Sequence, residues 1–222
     1  MANYAIPILY SLQHCPYAMR ARIALIKAKQ CVLIRAIKLS NKPGEMLQVS
    51  AKGSVPVLVI SDDVIIEESL EVMLWALAQN DPDDLLHIKQ ANALPSMINT
   101  ILEFEAEFIP LLEAYSCAKR YHDDNLCDRR LACQRYLQKL EEILQVQPFL
   151  FSDKESVLDI ALMPFIRKFA RIEKKWYRDS PYPNLRTWLA RYLQSSLFSK
   201  VMTDHELWLE RRSDIYFGGE KL

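Results

Sequence analysis

The sequence predicts a small α/β domain at the N-terminus followed by a domain made almost wholly of helices. Three observations carry that reading. Branched and apolar runs of strand length alternate with helical patterns through residues 1–79. A polar, turn-rich segment, Asn80-Asp81-Pro82-Asp83-Asp84, then interrupts the chain. Beyond it, from about His87, apolar residues recur at helical spacing with almost no strand signal. The expected domains are therefore 1–79 and 87–222, the second all-helical and contributing the substrate site.

The elements follow in order. Ile8–Tyr10 reads as a short strand, with Pro7 tolerable only at its first position. Pro16 falls where a helix favours proline, at its first residue, and Met19, Ile23 and Ile26 recur at i, i+4 and i+7. Cys31–Ile37 is a second strand, rich in branched residues. Asn41-Lys42-Pro43-Gly44 is a turn leading into a short helix through Leu47. Val57–Ile60 and Val64–Ile66, joined by Ser61-Asp62-Asp63, read as an antiparallel hairpin. Leu70, Met73, Leu74 and Leu77 mark the apolar face of a further helix. The order βαβ-α-ββα is that of a thioredoxin-like domain, whose right-handed first crossover makes its two strands parallel.

In the helical part, Cys133, Leu137, Leu140 and Leu144 form one apolar stripe ending before Pro148. Ser156-Val157-Leu158-Asp159 matches a capping box. The helix it opens is apolar on nearly every side through Phe169, which places it at the middle of a bundle, with a kink expected at Pro164.

Composition excludes several functions. The 28 basic and 28 acidic residues cancel, so no field favours nucleic acid or an anionic membrane as partner. The four glycines, Gly44, Gly53, Gly218 and Gly219, are too few and too scattered for a phosphate-binding loop. Ala5–Tyr10 is too short for a signal peptide, no run is long enough to span a bilayer, and Glu220-Lys221-Leu222 matches no retention address. Five cysteines without paired spacing read as free thiols, and four scattered histidines give no zinc site. The expectation is a cytoplasmic protein without a metal. Of the cysteines, Cys31, Cys127 and Cys133 read as core.

Three short segments can carry chemistry. Cys15, directly before Pro16, sits at a helix N-cap, where free amides and the helix dipole favour thiolate, the nucleophilic form. Val55-Pro56 opens a strand and can hold a cis peptide bond that turns the Val55 backbone outward. Glu68-Ser69 precedes a helix, where hydroxyl, amide and dipole together suit a carboxylate. Each also has a plainer reading: a buried thiol, a trans proline, and an ordinary helix cap.

Taken together and in this order, Cys15-Pro16-Tyr17-Ala18, Asn41-Lys42-Pro43, Ser54-Val55-Pro56-Val57-Leu58 and Glu68-Ser69 give residues 9–79 a specific likeness. The chain resembles the cytosolic glutathione transferases, particularly the omega class and the glutaredoxin-2-like proteins. The resemblance extends through the Ser156–Asp159 cap. It implies that glutathione is the co-substrate and that Cys15 forms a mixed disulfide with it. It further implies that Val55, before a cis Pro56, pairs with the cysteinyl part, that Glu68 and Ser69 hold the γ-glutamyl end, and that Lys42 reaches the glycyl carboxylate.

Glutaredoxin-2 proteins carry a second cysteine where this chain has Ala18, so a single-thiol cycle is expected. Tyr10, Ser11 and Tyr17 are weighed as hydroxyls that activate glutathione in other classes; Tyr17 reads as a wall of the site. Tyr17, Phe104, Phe108, Tyr115 and Trp176 are the substrate-pocket candidates, in a cleft expected between the domains. The resulting expectation is a homodimeric thioltransferase or dehydroascorbate reductase acting on small-molecule or protein mixed disulfides. The alternatives are conjugation of glutathione to electrophiles, or a non-catalytic glutathione-binding protein.

Overall fold

The computed structural model describes residues 6–219; Ala5 and the terminal Glu220-Lys221-Leu222 lie outside them. The chain forms two compact units, one of residues 6–83 with 195–219, the other Asp84–Gln194.

In the first unit the elements are β1 (Ile8–Ser11), α1 (Pro16–Lys27), β2 (Val32–Ala36), α2 (Gly44–Val49), β3 (Val57–Ser61), β4 (Val64–Ile66) and α3 (Ser69–Gln79). The sheet order is β4-β3-β1-β2-β5, with β5 at Tyr216–Phe217. β1 pairs parallel with β2, Tyr10 opposite Arg35, and antiparallel with β3, Tyr10 opposite Val57. Flanked on both edges, β1 is buried along all four residues, as its run Ile-Leu-Tyr-Ser requires. The β3–β4 hairpin and the thioredoxin-like order stand as expected.

The expected boundary of the second domain is corrected at its far end. Residues 195–219 pack with the first unit: α9 (Ser196–Val201) lies on α1, and β5 adds to β2. α10 (Trp208–Arg211) is held by Glu45 of α2, which accepts from the Trp208 indole and the Arg212 guanidinium. Arg35 of β2 lies over the same indole at 3.8 Å. A two-residue edge strand carries almost no periodicity, so the sequence offers no pattern for β5. Gly218 makes it possible: at φ +95°, a Cβ there would stand 2.0 Å from the Gln30 carbonyl.

With α3 and α9 against it, α1 is buried from Ala18 through Leu25, including Arg20 and Arg22. Arg22 donates four hydrogen bonds: to the Val201 carbonyl (3.0 Å), Ser11 Oγ (2.6 Å), the Leu12 carbonyl (3.0 Å) and the Gln13 carbonyl (2.5 Å). One guanidinium thus ties the loop before Cys15 to the end of α9. Gln13 adds a second tie, its amide donating to the Met202 carbonyl at 3.0 Å.

The second unit holds α4 (Ala93–Tyr121), α5 (Leu126–Val146), α6 (Val157–Ile172), α7 (Lys174–Arg178) and α8 (Pro183–Leu193). α4 begins at Ala93 rather than near His87, because Asp84, His87 and Asn92 all have positive φ and break the helical path. α6 packs on α4, α7 and α8 and is buried on nearly every side, as its composition demands. The capping box at its start is formed. Asp159 accepts from the Ser156 amide (3.0 Å), Ser156 Oγ (2.7 Å), the Leu150 amide (2.8 Å) and the Trp188 indole (3.0 Å). Glu141 of α5, also buried, accepts from the Asn184 and Leu185 amides at the start of α8.

Two outcomes follow from these buried groups. Asp159→Ala leaves four donors without their acceptor and lowers the stability of the chain by about 3–5 kcal/mol in denaturant titration. His205, beyond α9, has its pKa held below the ordinary 6.5 by burial and by Arg22, with Asp204 opposing. The unfolded chain then takes up this proton first. Stability is therefore full above pH 6.5 and declines as pH falls through that value, a slope that His205→Gln reduces.

Candidate active site

Cys15 is the N-cap of α1, in extended conformation (φ −71°, ψ 122°), with Pro16 as the first helical residue. Its amide donates to the Leu12 carbonyl (3.2 Å), and its own carbonyl accepts from Met19 (2.8 Å), which fixes where the side chain leaves the backbone. The Leu12 carbonyl also takes a bond from Arg22, so the buried guanidinium holds the acceptor of the Cys15 amide. The half-buried Sγ points at the Val55 carbonyl, 3.8 Å away. The Val55–Pro56 peptide bond is cis. Burial pulls the Arg22 pKa down to about 10, with the Coulombic field of Cys15 acting the other way.

The segment from Ser50 to Pro56 joins the remaining site residues. Val55 meets Cys15. Two residues earlier, Gly53 at φ +59° lies under Lys42, whose Nζ would be 3.0 Å from a Cβ built there. Lys52 pairs with the exposed Glu68, and Ser50 donates to Glu67 at 2.5 Å. Ser69, first residue of α3, is buried and accepts from Arg20 Nε at 2.9 Å. A serine oxygen that accepts from a guanidinium still has its own O–H to donate. Cys15, Lys42, Val55, Pro56, Glu68 and Ser69 therefore all sit in the first unit, joined through one loop and the N-terminal ends of α1 and α3.

Sequence reasoning missed Arg20, Arg22 and Lys52. Arginines spaced two apart on a helix read as solvated, and only the packing of α3 and α9 buries them. The other hydroxyls are engaged: Tyr10 accepts from Arg35 (2.8 Å) and Ser11 from Arg22. Tyr17 is half-buried with the Arg20 guanidinium 5.5 Å from its ring centroid.

Three expected pocket residues need correction. Phe104, Phe108 and Tyr115 are at most 1% exposed, with Phe104 stacked on Phe108 and Tyr115 tilted on Phe169, so they are bundle interior. Trp176, in contrast, lines a cleft of the helical unit. Cys133 is core as expected, its thiol pushed up to about 12 by burial, but Cys127 is exposed and Cys31 only half-buried.

Comparison with known proteins places this fold in a family. Residues 9–98 match the glutathione S-transferase N-terminal domain and residues 128–191 match the glutathione S-transferase C-terminal domain. Mouse glutathione S-transferase omega-1 is 27% identical, with 91% of this chain and 82% of the relative covered. Mouse omega-2 is 28% identical, with 90% and 80% covered. Among solved structures, a glutathione transferase family member from Pseudomonas fluorescens pf-5 with two glutathiones bound superposes with a TM-score of 0.76 at 18% identity, covering 89% of this chain and 92% of that one. A Burkholderia graminis glutathione transferase with two glutathiones per subunit gives 0.77 at 16% identity, covering 91% and 89%. With both of its domains matched and the thioredoxin-like sheet and helical unit in place, this chain belongs to the cytosolic glutathione transferase superfamily.

Proposed function

We propose that the chain is a glutathione-dependent thiol transferase working through Cys15 alone. The observation that carries this reading is the placement of Cys15 at the N-cap of α1, its Sγ 3.8 Å from the backbone of Val55. In the first step the Cys15 thiolate attacks the glutathionyl sulfur of a mixed disulfide, forming a Cys15–glutathione disulfide and expelling the substrate as thiolate. A second glutathione thiolate then attacks that disulfide, leaving oxidised glutathione and the free Cys15 thiolate. Ala18, one turn on, is buried and offers no sulfur for an internal disulfide.

The binding roles follow from the chemistry around the thiol. The Val55 backbone is placed to pair with the cysteinyl unit. Ser69 has a free O–H for the γ-glutamyl carboxylate, with the first amides of α3 and its dipole behind it. Glu68 takes the ammonium group in place of Lys52; the pair it gives up is exposed and worth little. Lys42 serves the glycyl carboxylate as a point charge. Cys15 holds the helix-start position facing Val55, which favours the cysteine mechanism over a hydroxyl-activated conjugation. A homodimer and a cytoplasmic location, taken from the omega-class likeness, belong to the same reading; sedimentation equilibrium checks the first.

Cys15→Ala should reduce disulfide exchange to background and remove the glutathionyl adduct seen by mass spectrometry with oxidised glutathione, while retention on a glutathione resin persists. Full exchange activity in that variant would overturn the mechanism. Ser69→Ala should raise the KM for glutathione about tenfold with kcat little changed, the equivalent of one hydrogen bond to a charged group.

A further inference from the structure

Lys42, proposed to serve the glycyl carboxylate, stands on a connection with little of its own to fix it. β2 ends at Ala36 and α2 begins only at Gly44. Between them the chain turns once, the Asn41 amide donating to the Lys38 carbonyl at 3.1 Å, and residues 38–41 are all exposed. Lys42 makes no ion pair among the described residues. A lysine carries its charge on a flexible four-carbon stem, so its aim depends on where the backbone beneath it is held.

The returning C-terminal segment supplies that hold. Leu207 bridges in parallel to Ala36, and Lys38 pairs with Glu210 at 3.6 Å. Leu207 and Leu209 line a cavity of only about 60 Å³ with Ile37 and Asn41. Three residues past Lys42, Glu45 accepts from the Trp208 indole and the Arg212 guanidinium. Residues 207–212 therefore grip the connection on both sides of Lys42.

These contacts differ in weight. The Lys38–Glu210 pair is exposed on both sides and contributes little. Trp208 is half-buried, with the Arg35 guanidinium 3.8 Å and the Arg212 guanidinium 5.5 Å from its ring centroid. Arg35 in turn donates to Tyr10 Oη on β1 at 2.8 Å. Burial alone would raise the Glu45 pKa; the Trp208 indole, the Glu45 backbone amide and the charges of Arg212 and Arg35 outweigh it and keep the carboxylate ionised. The run Tyr10–Arg35–Trp208–Glu45 thus reaches from the middle of the sheet to the first turn of α2, with the indole as its central link.

We propose that Trp208 is a positioning residue for the glycyl end of glutathione: it clamps the β2–α2 connection to the sheet and so fixes where Lys42 presents its ammonium group. Trp208 touches no ligand itself. The inference rests on Lys42 as the holder of the glycyl carboxylate, and it makes the C-terminal segment part of what sets selectivity for the acid at that end.

The test is calorimetric titration with S-methylglutathione and with its glycyl amide, which differ only in the carboxylate and form no disulfide. The unaltered chain should bind the acid about tenfold more tightly than the amide, the equivalent of one bond to a charged group. Trp208→Ala should lower that ratio to about two or three by weakening the acid alone. Glu45→Ala, which frees α2 while leaving the indole on Arg35, should do the same, so the outcome does not depend on one variant folding. Lys42→Ala should also lower the ratio, and adding Trp208→Ala to it should change nothing further. An unchanged ratio in Trp208→Ala and Glu45→Ala, equal weakening of acid and amide, or additive effects of the Lys42 and Trp208 changes would overturn the clamp. An unchanged ratio in Lys42→Ala would overturn the clamp together with the glycyl role of Lys42, which separates the two failures.

Discussion

The guanidinium of Arg22 is the contact on which the rest of the first unit turns. It is 2% exposed, and burying a charge is costly unless every donor finds an acceptor. Here the acceptors are Ser11 at the end of β1, the Leu12 and Gln13 carbonyls of the loop before Cys15 and one carbonyl at the end of α9. The cation can be buried only if that loop and α9 are both in place. The same requirement aligns the Leu12 carbonyl with the Cys15 amide, so the exit direction of the thiol is set from beneath.

The loop from Ser50 to Pro56 plays the complementary part above the thiol. Its residues alternate in their partners, reaching Glu67, Glu68, Lys42 and Cys15 in turn. The contacts differ in weight. The Lys52–Glu68 pair is exposed on both sides and screened by solvent, so it is readily exchanged for a ligand. The Arg20–Ser69 bond is buried and holds the start of α3 in register with α1. Hydrogen-bonded backbone around the sulfur and exchangeable charge at the periphery suit the glutathione site proposed above.

The helical unit uses buried carboxylates for construction. Asp159 and Glu141 each gather amides at the start of a helix, where the dipole favours negative charge. Glu173 uses the same chemistry at the surface to pin Arg130 beside Trp176. Only the Asp159 case is visible in the sequence, because a capping box is local, three residues from end to end. Glu141 lies 43 and 44 residues before its partner amides, beyond the reach of any short pattern.

The sequence by itself determined the order of elements in residues 8–79, the helix-start position of Cys15, the Ser156–Asp159 cap and the buried character of α6. All of these rest on spacing of at most a few residues and on the preferences of proline and branched side chains. It also singled out Lys42, Val55, Pro56, Glu68 and Ser69 as candidates, through motifs taken together rather than singly. Tertiary structure alone decided that residues 195–219 return to the sheet, that Arg20 and Arg22 are interior, and that Phe104, Phe108 and Tyr115 face the bundle core. In each of these the deciding term is what packs against the residue from far along the chain, and burial, unlike helical propensity, is not a local property.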